Sequence, residues 1–410
     1  MAGTKHGDFT RNWKDIVSAF LRLGATSYGG PAIMGLMQAE LQEKREWVSR
    51  DRFVEGLSVV NMLPGATATQ LGIFLAYARG GWWGGVLGGL CFVLPAFFIM
   101  LALTIGYATL GVTPIMRGAL YGLGPVVLGV FLVAIYRLSR STASTVPQAI
   151  IGVGAAAALA VSPLGVAAIL LLAGAGGLFL FHSRKLGGAV LGLLAAALWV
   201  VPATWWSTSV SVSAAARGGS APAGLMDVGA FFFKVGAFTV GGGLTMIAFI
   251  QDQVVEQLHW LTPREFIDGL ALGQFTPGPV LMLAAYVGYK MAGTAGAAVA
   301  AGAAFLPSFI LMLAVLPMLD RFRKLTWTSA AMKGTGPAVI GVLGVSLVRL
   351  APHALPDPFA IATLVVTVVA LVIWRAGTLK LMVAGSLLGV LRSRLFALPS
   401  IKTARLWAGV

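Results

Sequence analysis

The sequence contains one interrupted apolar stretch twice, and this duplication restricts the possible folds more than any other feature. The clearer copy covers residues 233–279, where apolar helical runs break at three consecutive glycines and again at a Pro-Gly-Pro. The weaker copy covers residues 20–66 and breaks at the corresponding places. Glycines, prolines, tryptophans and cations recur in the same order, which chance similarity between apolar segments would not produce. The chain therefore contains two homologous halves.

The composition is that of a helical membrane protein. Of 410 residues, 58% are hydrophobic and 10% are charged, whereas a soluble domain has about 25% charged residues. Apolar runs of the length that crosses a bilayer, about 20 residues, recur along the chain. These runs are continuous and lack the alternation of a membrane β-barrel. We therefore predict an all-α polytopic membrane protein whose helices are broken at the glycine and proline positions.

The two halves are predicted to be inverted relative to each other. A stretch rich in Ser, Ala and Gly at residues 204–225 is expected to link an N-terminal repeat, residues 1–203, to a C-terminal repeat, residues 226–410. Equivalent segments begin an odd number of predicted spans apart, and an odd offset gives opposite orientations.

Counting apolar segments predicts about twelve or thirteen transmembrane segments. The apolar segments that contain the breaks are expected near residues 15–35, 53–77, 227–250 and 266–291. With this count, several basic clusters are expected on the cytoplasmic face, as the positive-inside rule requires. They include Arg137 with Arg140, Arg184 with Lys185, and Arg375 with Lys380.

The motifs of the second half resemble one known family. The sequences VGAFTVGGG, WLTPREFIDGLALGQFTPGPV, GYKMAG and LPSF are similar to those of the chromate ion transporter family in its long, two-domain form. The first half departs from this pattern, with Pro64-Gly65-Ala66 in place of Pro-Gly-Pro and Asn61 in place of Gln. The resemblance implies a secondary transporter that exports chromate across the bacterial inner membrane and confers chromate resistance. The expected partners are chromate or a related tetrahedral oxyanion and the lipid bilayer, without a cofactor; a homodimer is left open.

The helix breaks are the predicted substrate site. Broken helices survive in a membrane only inside protein or beside a watery cavity, and helix N-termini favour anions. One cation in each half lies about two helical turns before a glycine break; snorkelling of a long side chain is the competing explanation. The predicted substrate-binding residues are Arg22, Gly29, Gly30, Pro64, Gly65, Lys234, Gly241, Gly242, Gly243, Gln274, Pro277, Gly278 and Pro279.

Two acidic residues are candidates for ion coupling. Glu55 and Asp268 occupy the same repeat position, shortly after the start of an apolar run and before a glycine. An acid in this position either complements the helix dipole or titrates a proton inside the membrane. The earlier acids of the same stretches, Asp252 among them, are predicted to be solvated loop charges.

Other classes of protein fit the sequence less well. The net charge is +15, but the cations are spread over loops and helix ends without interleaved aromatics, so no nucleic-acid binding is expected. The four histidines lack metal-ligand spacing, and no P-loop motif is present, so an enzyme is not expected. The alternatives to chromate export are a sulfate-type oxyanion carrier and a non-transporting membrane scaffold.

Overall fold

The computed structural model describes residues 9–28, 30–110, 113–142, 145–162, 164–200, 224–239, 243–318 and 326–395. These residues form helices and no strand, which confirms the all-α prediction. The first half contains α1 (Phe9–Thr26), α2 (Gly30–Met37), α3 (Arg50–Val60), α4 (Thr67–Leu110), α5 (Pro114–Thr142), α6 (Val146–Val161), α7 (Val166–Phe181) and α8 (Arg184–Val200). The second half contains α9 (Leu225–Phe238), α10 (Gly243–Ile250), α11 (Pro263–Phe275), α12 (Leu283–Val315), α13 (Thr326–Ala354), α14 (Pro358–Val372) and α15 (Thr378–Leu395).

The helices repeat in the same order in both halves. Helices α1 to α7 correspond to α9 to α15, and α8 has no counterpart among the described helices. A π-helix prolongs α2 over Gln38–Lys44, and another prolongs α10 over Gln251–Gln257. Such a rare feature at equivalent positions shows that the duplication extends to local backbone geometry. The expected linker at 204–225 lies outside the described residues, apart from Gly224 and Leu225.

The helices after the second break, α4 and α12, each fold back on themselves. The α4 backbone leaves helical geometry at Gly80 and Gly81, and that of α12 does so at Ala292 and Gly293. Both turn glycines have a φ of 63°, a left-handed conformation that side chains disfavour. Gly88 then packs against Ala76 of the preceding arm. Each long helix is thus a pair of antiparallel arms.

Side-chain caps fix where the helices before the second break begin. The Ser49 hydroxyl accepts a hydrogen bond from the Arg52 N–H at 3.2 Å, which caps α3. At the equivalent position, Thr262 caps α11 by accepting from the Glu265 N–H at 3.2 Å. The Glu265 carboxylate accepts in return from the Thr262 N–H at 3.0 Å, completing a capping box.

Each half begins with two helical hairpins whose ends lie together. Asn12 near the start of α1 donates to the Arg79 carbonyl at 3.1 Å, and Asp15 pairs with Arg45 after the first π-helix. In the second half, Lys290 pairs at 2.7 Å with Glu265 at the start of α11. The sequence predicts broken segments near 15–35 and 53–77, and the structure shows that the chain reverses at each break, so that each segment is a hairpin of shorter helices.

Four of the described helices are long and apolar enough to cross a membrane. They cover Thr67–Leu110, Pro114–Arg140, Val280–Met318 and Trp327–Ala354, and three shorter apolar helices accompany them. The expected twelve or thirteen segments are therefore not all long continuous helices. The hairpins contribute to this difference. A long apolar run in the sequence does not show whether the chain continues straight or reverses after a break, so some of the predicted segments are pairs of short helices.

The two halves pack in an inverted and interlocked arrangement. The second arms of α4 and α12 run antiparallel, with Gly85 against Leu313 and Gly89 against Phe309. Helix α5 packs on α14 and α15 of the other half, and α13 packs on α6 and α7 in the same way. Equivalent helices that run antiparallel agree with the predicted inverted repeat.

Candidate functional site

The helix breaks of the two halves meet in two equivalent pairs. The Gly65 N–H donates to the Thr239 carbonyl at 2.6 Å, and the Gly278 N–H donates to the Ser27 carbonyl at 2.7 Å. Thr239 and Ser27 are equivalent residues that directly follow α9 and α1. Each hydrogen bond therefore joins the second break of one half to the first break of the other. We call Pro64–Ala66 and Pro277–Pro279 the first and second tips.

Glycine is required at both tips by backbone geometry. The φ angles are +124° at Gly65 and +98° at Gly278, in the region that side chains rarely adopt. A β-carbon at position 278 would also lie 2.7 Å from the Ala96 β-carbon. Ala96 is halfway along the second arm of α4, which places the meeting point of the breaks near the middle of that long apolar helix.

The backbone of the first tip forms hydrogen bonds with side chains, whereas within the described residues that of the second tip does not. Gln70 donates from Nε2 to the Pro64 carbonyl at 2.7 Å. The Ala66 N–H donates to the Ser308 hydroxyl at 2.8 Å, across from the other half. At the second tip, Ala96 occupies the repeat position of Ser308, and Pro279 has no N–H to donate. The duplicated halves therefore present different chemistry at equivalent places.

Three polar side-chain atoms near the tips lack a hydrogen-bond partner within the described residues. They are Ser27 Oγ, Thr69 Oγ1 and Gln70 Oε1, and all three residues are fully buried. A buried polar atom left without a partner costs about 1–3 kcal/mol, so such atoms suggest a ligand or water that completes them. Two of the three are hydroxyls, which can donate to an oxyanion.

Several helices begin at these breaks, so their N-termini lie there. Helices α2 and α10 start at Gly30 and Gly243, immediately after the first breaks, and α4 starts at Thr67. First-turn N–H groups have no acceptor within their own helix, and a helix N-terminus carries partial positive charge. The predicted residues Gly29, Gly241 and Gly242 lie outside the described residues.

The two predicted cations are placed differently. Lys234 is half-buried on α9 between buried Val235 and exposed Phe233, and within the described residues it forms no ion pair. Arg22 is exposed on α1. Gln274 is half-buried close to the end of α11, next to the second tip. Of the two cations, Lys234 has the environment that more closely resembles an internal anion site.

The two candidate coupling acids also differ in environment. Asp268 is 5% exposed and accepts a hydrogen bond from the Tyr107 hydroxyl of the other half at 3.1 Å. Arg264 Nε lies 3.5 Å from its second carboxylate oxygen, which has no hydrogen bond within the described residues. Glu55 is only half-buried and pairs with Arg52 at 2.9 Å. Asp268 therefore links the two halves through its hydrogen bond with Tyr107.

One buried charge was misjudged from the sequence. Asp252, expected to be a solvated loop residue, is 4% exposed in the second π-helix. Arg349 Nη1 contacts its carboxylate at 3.3 Å, and Arg349 Nη2 donates to the Leu159 carbonyl at 3.0 Å. The prediction was wrong because α13 covers this segment, which the position of the acid between apolar runs does not reveal. The available signal was the apolar pair Ile250 and Val254, two residues away on either side of Asp252.

The tip environment was only partly foreseen. The sequence singled out the tip glycines and prolines, but not Ser27, Thr69, Gln70 or Ser308. The contrast between LPAF in the first half and LPSF in the second was the signal for Ser308. Among the described residues, no cluster of three or more His, Cys, Asp and Glu side chains could hold a metal ion.

Comparison with known proteins identifies the family. The model of the family described as chromate transporter matches residues 14–180 and 226–390. The chain belongs to the chromate transporter family. The two matched regions correspond to α1–α7 and α9–α15 and exclude α8, so the family's repeat unit is the duplicated unit of the structure. This match confirms the resemblance found in the sequence. Membership of the family and the long apolar helices together indicate a multi-pass membrane transporter.

Relatives match along most of the chain. A chromate transport protein of Cupriavidus metallidurans is 32% identical over 398 residues, which cover 94% of both chains. A "Probable chromate transport protein" of Synechococcus elongatus is 32% identical over 376 residues, covering 89% of this chain and 90% of its own. A chromate transport protein of Pseudomonas aeruginosa is 29% identical over 346 residues, covering 83% and 81%. No solved structure matches the chain.

Proposed function

We propose that this protein is a secondary transporter that exports chromate from the cytoplasm across the bacterial inner membrane and thereby confers chromate resistance. The observation that carries the proposal is the pair of helix tips joined across the halves. Beside them lie buried hydroxyls that have no hydrogen-bond partner in the part of the chain that the structure describes. The names of the relatives supply chromate as the ion. The site chemistry supports a tetrahedral oxyanion.

The tips offer an anion two kinds of donor. Backbone N–H groups at the starts of α2, α4 and α10 supply fixed partial positive charge. The hydroxyls of Ser27 and Thr69 supply donors that need no rearrangement of backbone. Lys234 lies near the end of α9, close to the first break of the second half, and adds a full positive charge there. Together these groups replace the hydration of a dianion without an enclosed metal ion.

The energetics suit export. A divalent anion that leaves an inside-negative cell gains about 4.6 kcal/mol per 100 mV, twice the figure for a single charge. The potential alone can therefore drive chromate outward. Inverted repeats give a second advantage, because the inward-open and outward-open states can be built by exchanging the conformations of the two halves.

Coupling to protons is proposed to involve Asp268. Its carboxylate accepts from Tyr107, which belongs to the other half. Protonation would change this hydrogen bond and could therefore shift the relative positions of the halves. Exchange against another anion is the alternative, in which case Asp268 is structural.

Transport in everted membrane vesicles tests the proposal. We expect uptake of radiolabelled chromate that increases with an imposed inside-positive potential, which corresponds to export from the cell. The sulfate-type alternative predicts that sulfate competes with similar affinity, whereas a scaffold predicts uptake equal to that of vesicles without the protein. A chromate-sensitive host that expresses the protein should also grow on chromate. Sensitivity unchanged at confirmed expression would contradict the proposal.

A further inference from the structure

A basic pocket that shares no lining residue with the helix tips lies at one end of α5. It has a volume of about 850 Å³ and opens where the end of α5 meets the turn between α14 and α15. Arg137, Arg140 and Arg375 line it, and no acidic residue is among its lining residues. Thr378, the first residue of α15, also lines it. We call these four residues the arginine pocket.

The positive charge of the arginine pocket is largely uncompensated. Arg137 donates from Nη2 to the Leu371 carbonyl near the end of α14 at 3.1 Å. Arg140 and Arg375 are exposed, and neither has an ion pair within the described residues. Thr378 is the first residue of α15, a helix of 18 residues. The unpaired N–H groups in the first turn of such a helix carry partial positive charge, which adds to that of the arginines. Arginine and helix donors together are the usual chemistry of a phosphate site.

The duplication shows that the fold itself does not need these charges. In the second half, Arg349 occupies the repeat position of Arg137. Arg349 donates to the Leu159 carbonyl near the end of α6, just as Arg137 donates to the Leu371 carbonyl near the end of α14. There the arginine is neutralised by Asp252. The repeat positions of Arg140 and Arg375 are both occupied by proline, at Pro352 and Pro163. One half therefore compensates its capping arginine with an acid, while the other half adds two further arginines.

The backbone and the neighbouring aromatics give further support. Arg375 has a φ of 50° where α14 ends, and the Ala376 N–H closes the helix by donating to the Ala370 carbonyl at 3.0 Å. Glycine usually occupies this left-handed position. Tyr136, which lines the pocket, is 52% exposed, and Trp374, which directly precedes Arg375, is 71% exposed. Such exposed aromatics are typical of the level of lipid headgroups.

We propose that the arginine pocket binds a phosphate group, either on an anionic lipid or as a free ion. The planar guanidinium donates two parallel hydrogen bonds to phosphate oxygens, which makes arginine more selective than lysine here. This site is separate from the helix tips and does not depend on which ion the protein transports.

Binding to the purified, delipidated full-length chain tests this proposal. The test protein is the double variant Arg140→Gln/Arg375→Gln. The matched control is Arg184→Gln/Lys185→Gln, which removes two exposed charges expected on the same face. In one arm, equilibrium dialysis measures binding of radiolabelled inorganic phosphate. In the other arm, nanodiscs of phosphatidylcholine with and without phosphatidylglycerol are compared by the Tm of the protein and by mass spectrometry of retained lipid.

The pocket variant is expected to lose binding by about tenfold or more, because two of the three guanidinium donors are removed, while the control binds as the wild type does. A difference in the dialysis arm identifies a free ion, and a difference only in the nanodisc arm identifies a lipid headgroup. Arg140→Lys/Arg375→Lys should retain part of the binding. If the double variant does not fold, Arg140→Gln alone is measured. Equal results for the pocket variant and its control in both arms overturn the proposal.

Discussion

At the residue scale, the two tip glycines are the positions that the sequence predicted most directly. The Pro-Gly motifs indicated breaks, and a glycine with left-handed φ occupies each one. What the sequence could not show is the partner of each tip N–H. Ser27 and Thr239 accept these hydrogen bonds through their backbone oxygens. Every residue type has such an oxygen, so the sequence does not reveal which residues accept. The polar groups Gln70 and Ser308 were missed for a related reason, because single polar residues in apolar helices are common.

Gly65→Ala and Gly278→Ala should each reduce transport strongly. A side chain at these φ angles costs roughly 1–2 kcal/mol, and the new β-carbon would also lie 2.5 Å from Ser308 Oγ at position 65. Gly273→Ala is the control, because a β-carbon there meets nothing within 4 Å. Vesicle transport is measured with expression determined in parallel. Wild-type transport by both tip variants would show that the tip geometry is not essential.

Lys234→Gln should raise the half-saturating chromate concentration by about tenfold or more, because a hydrogen bond between charged groups contributes about 1.5–3 kcal/mol. Lys234→Arg should retain part of the activity, since charge remains with a different shape. Arg22→Gln is the repeat-matched comparison and should have the milder effect, since Arg22 is exposed. If Lys234 only snorkels, Lys234→Gln instead transports with unchanged kinetics.

At the element scale, the sequence predicted the breaks but not the hairpins. A run interrupted by glycine is compatible with a continuing helix and with a reversal. The choice depends on contacts between ends, such as Asn12 with the Arg79 carbonyl, that are distant in sequence. The π-helices were also not foreseen, because their sequences contain no common signature. They matter because the second one holds Asp252 against α13.

Arg349→Gln should lower the stability of the protein more than Arg137→Gln, the same change at its repeat counterpart. Loss of Arg349 leaves Asp252, which is 4% exposed, without its cation, and breaking a buried pair costs about 3–5 kcal/mol. Arg349 is itself 30% exposed, so the lower end of this range is expected. The Tm of each variant in detergent measures the difference, and adding Asp252→Asn should recover part of the loss. Equal Tm values for the two arginine variants would mean that the pair adds nothing.

Asp268→Asn separates the two proposals for coupling. If a proton on Asp268 couples to transport, the variant should retain uptake driven by potential but lose its response to an imposed pH gradient. Tyr107→Phe removes the contact to the other half without changing charge and should weaken the same response. Glu55→Gln is the control at the matched position. A pH response that persists in Asp268→Asn would leave exchange against another anion as the explanation.

At the scale of the whole molecule, the duplication was the most informative signal, and it gave both the two halves and their inversion. The swapped packing of α5 on α14 and α15 could not be read from the sequence, because every one of these helices is apolar on more than one side. This packing makes each half depend on the other for its core.

The inverted arrangement predicts that equivalent loops face opposite sides of the membrane. Glu46 and His259 are exposed, and each has left-handed backbone, with φ angles of 52° and 51°. They occupy the same repeat position, after the first and second π-helix. In a Cys91→Ala background, which removes the single native thiol, Glu46→Cys and His259→Cys should react with an impermeant thiol reagent from opposite sides. Intact cells and everted vesicles give the two sides, and detergent-solubilised protein gives complete labelling as the control. The antiparallel packing of α4 and α12 places the two loops on opposite sides. If both cysteines were labelled from the same side, the protein in the membrane would not have this packing, and the inverted arrangement would be wrong.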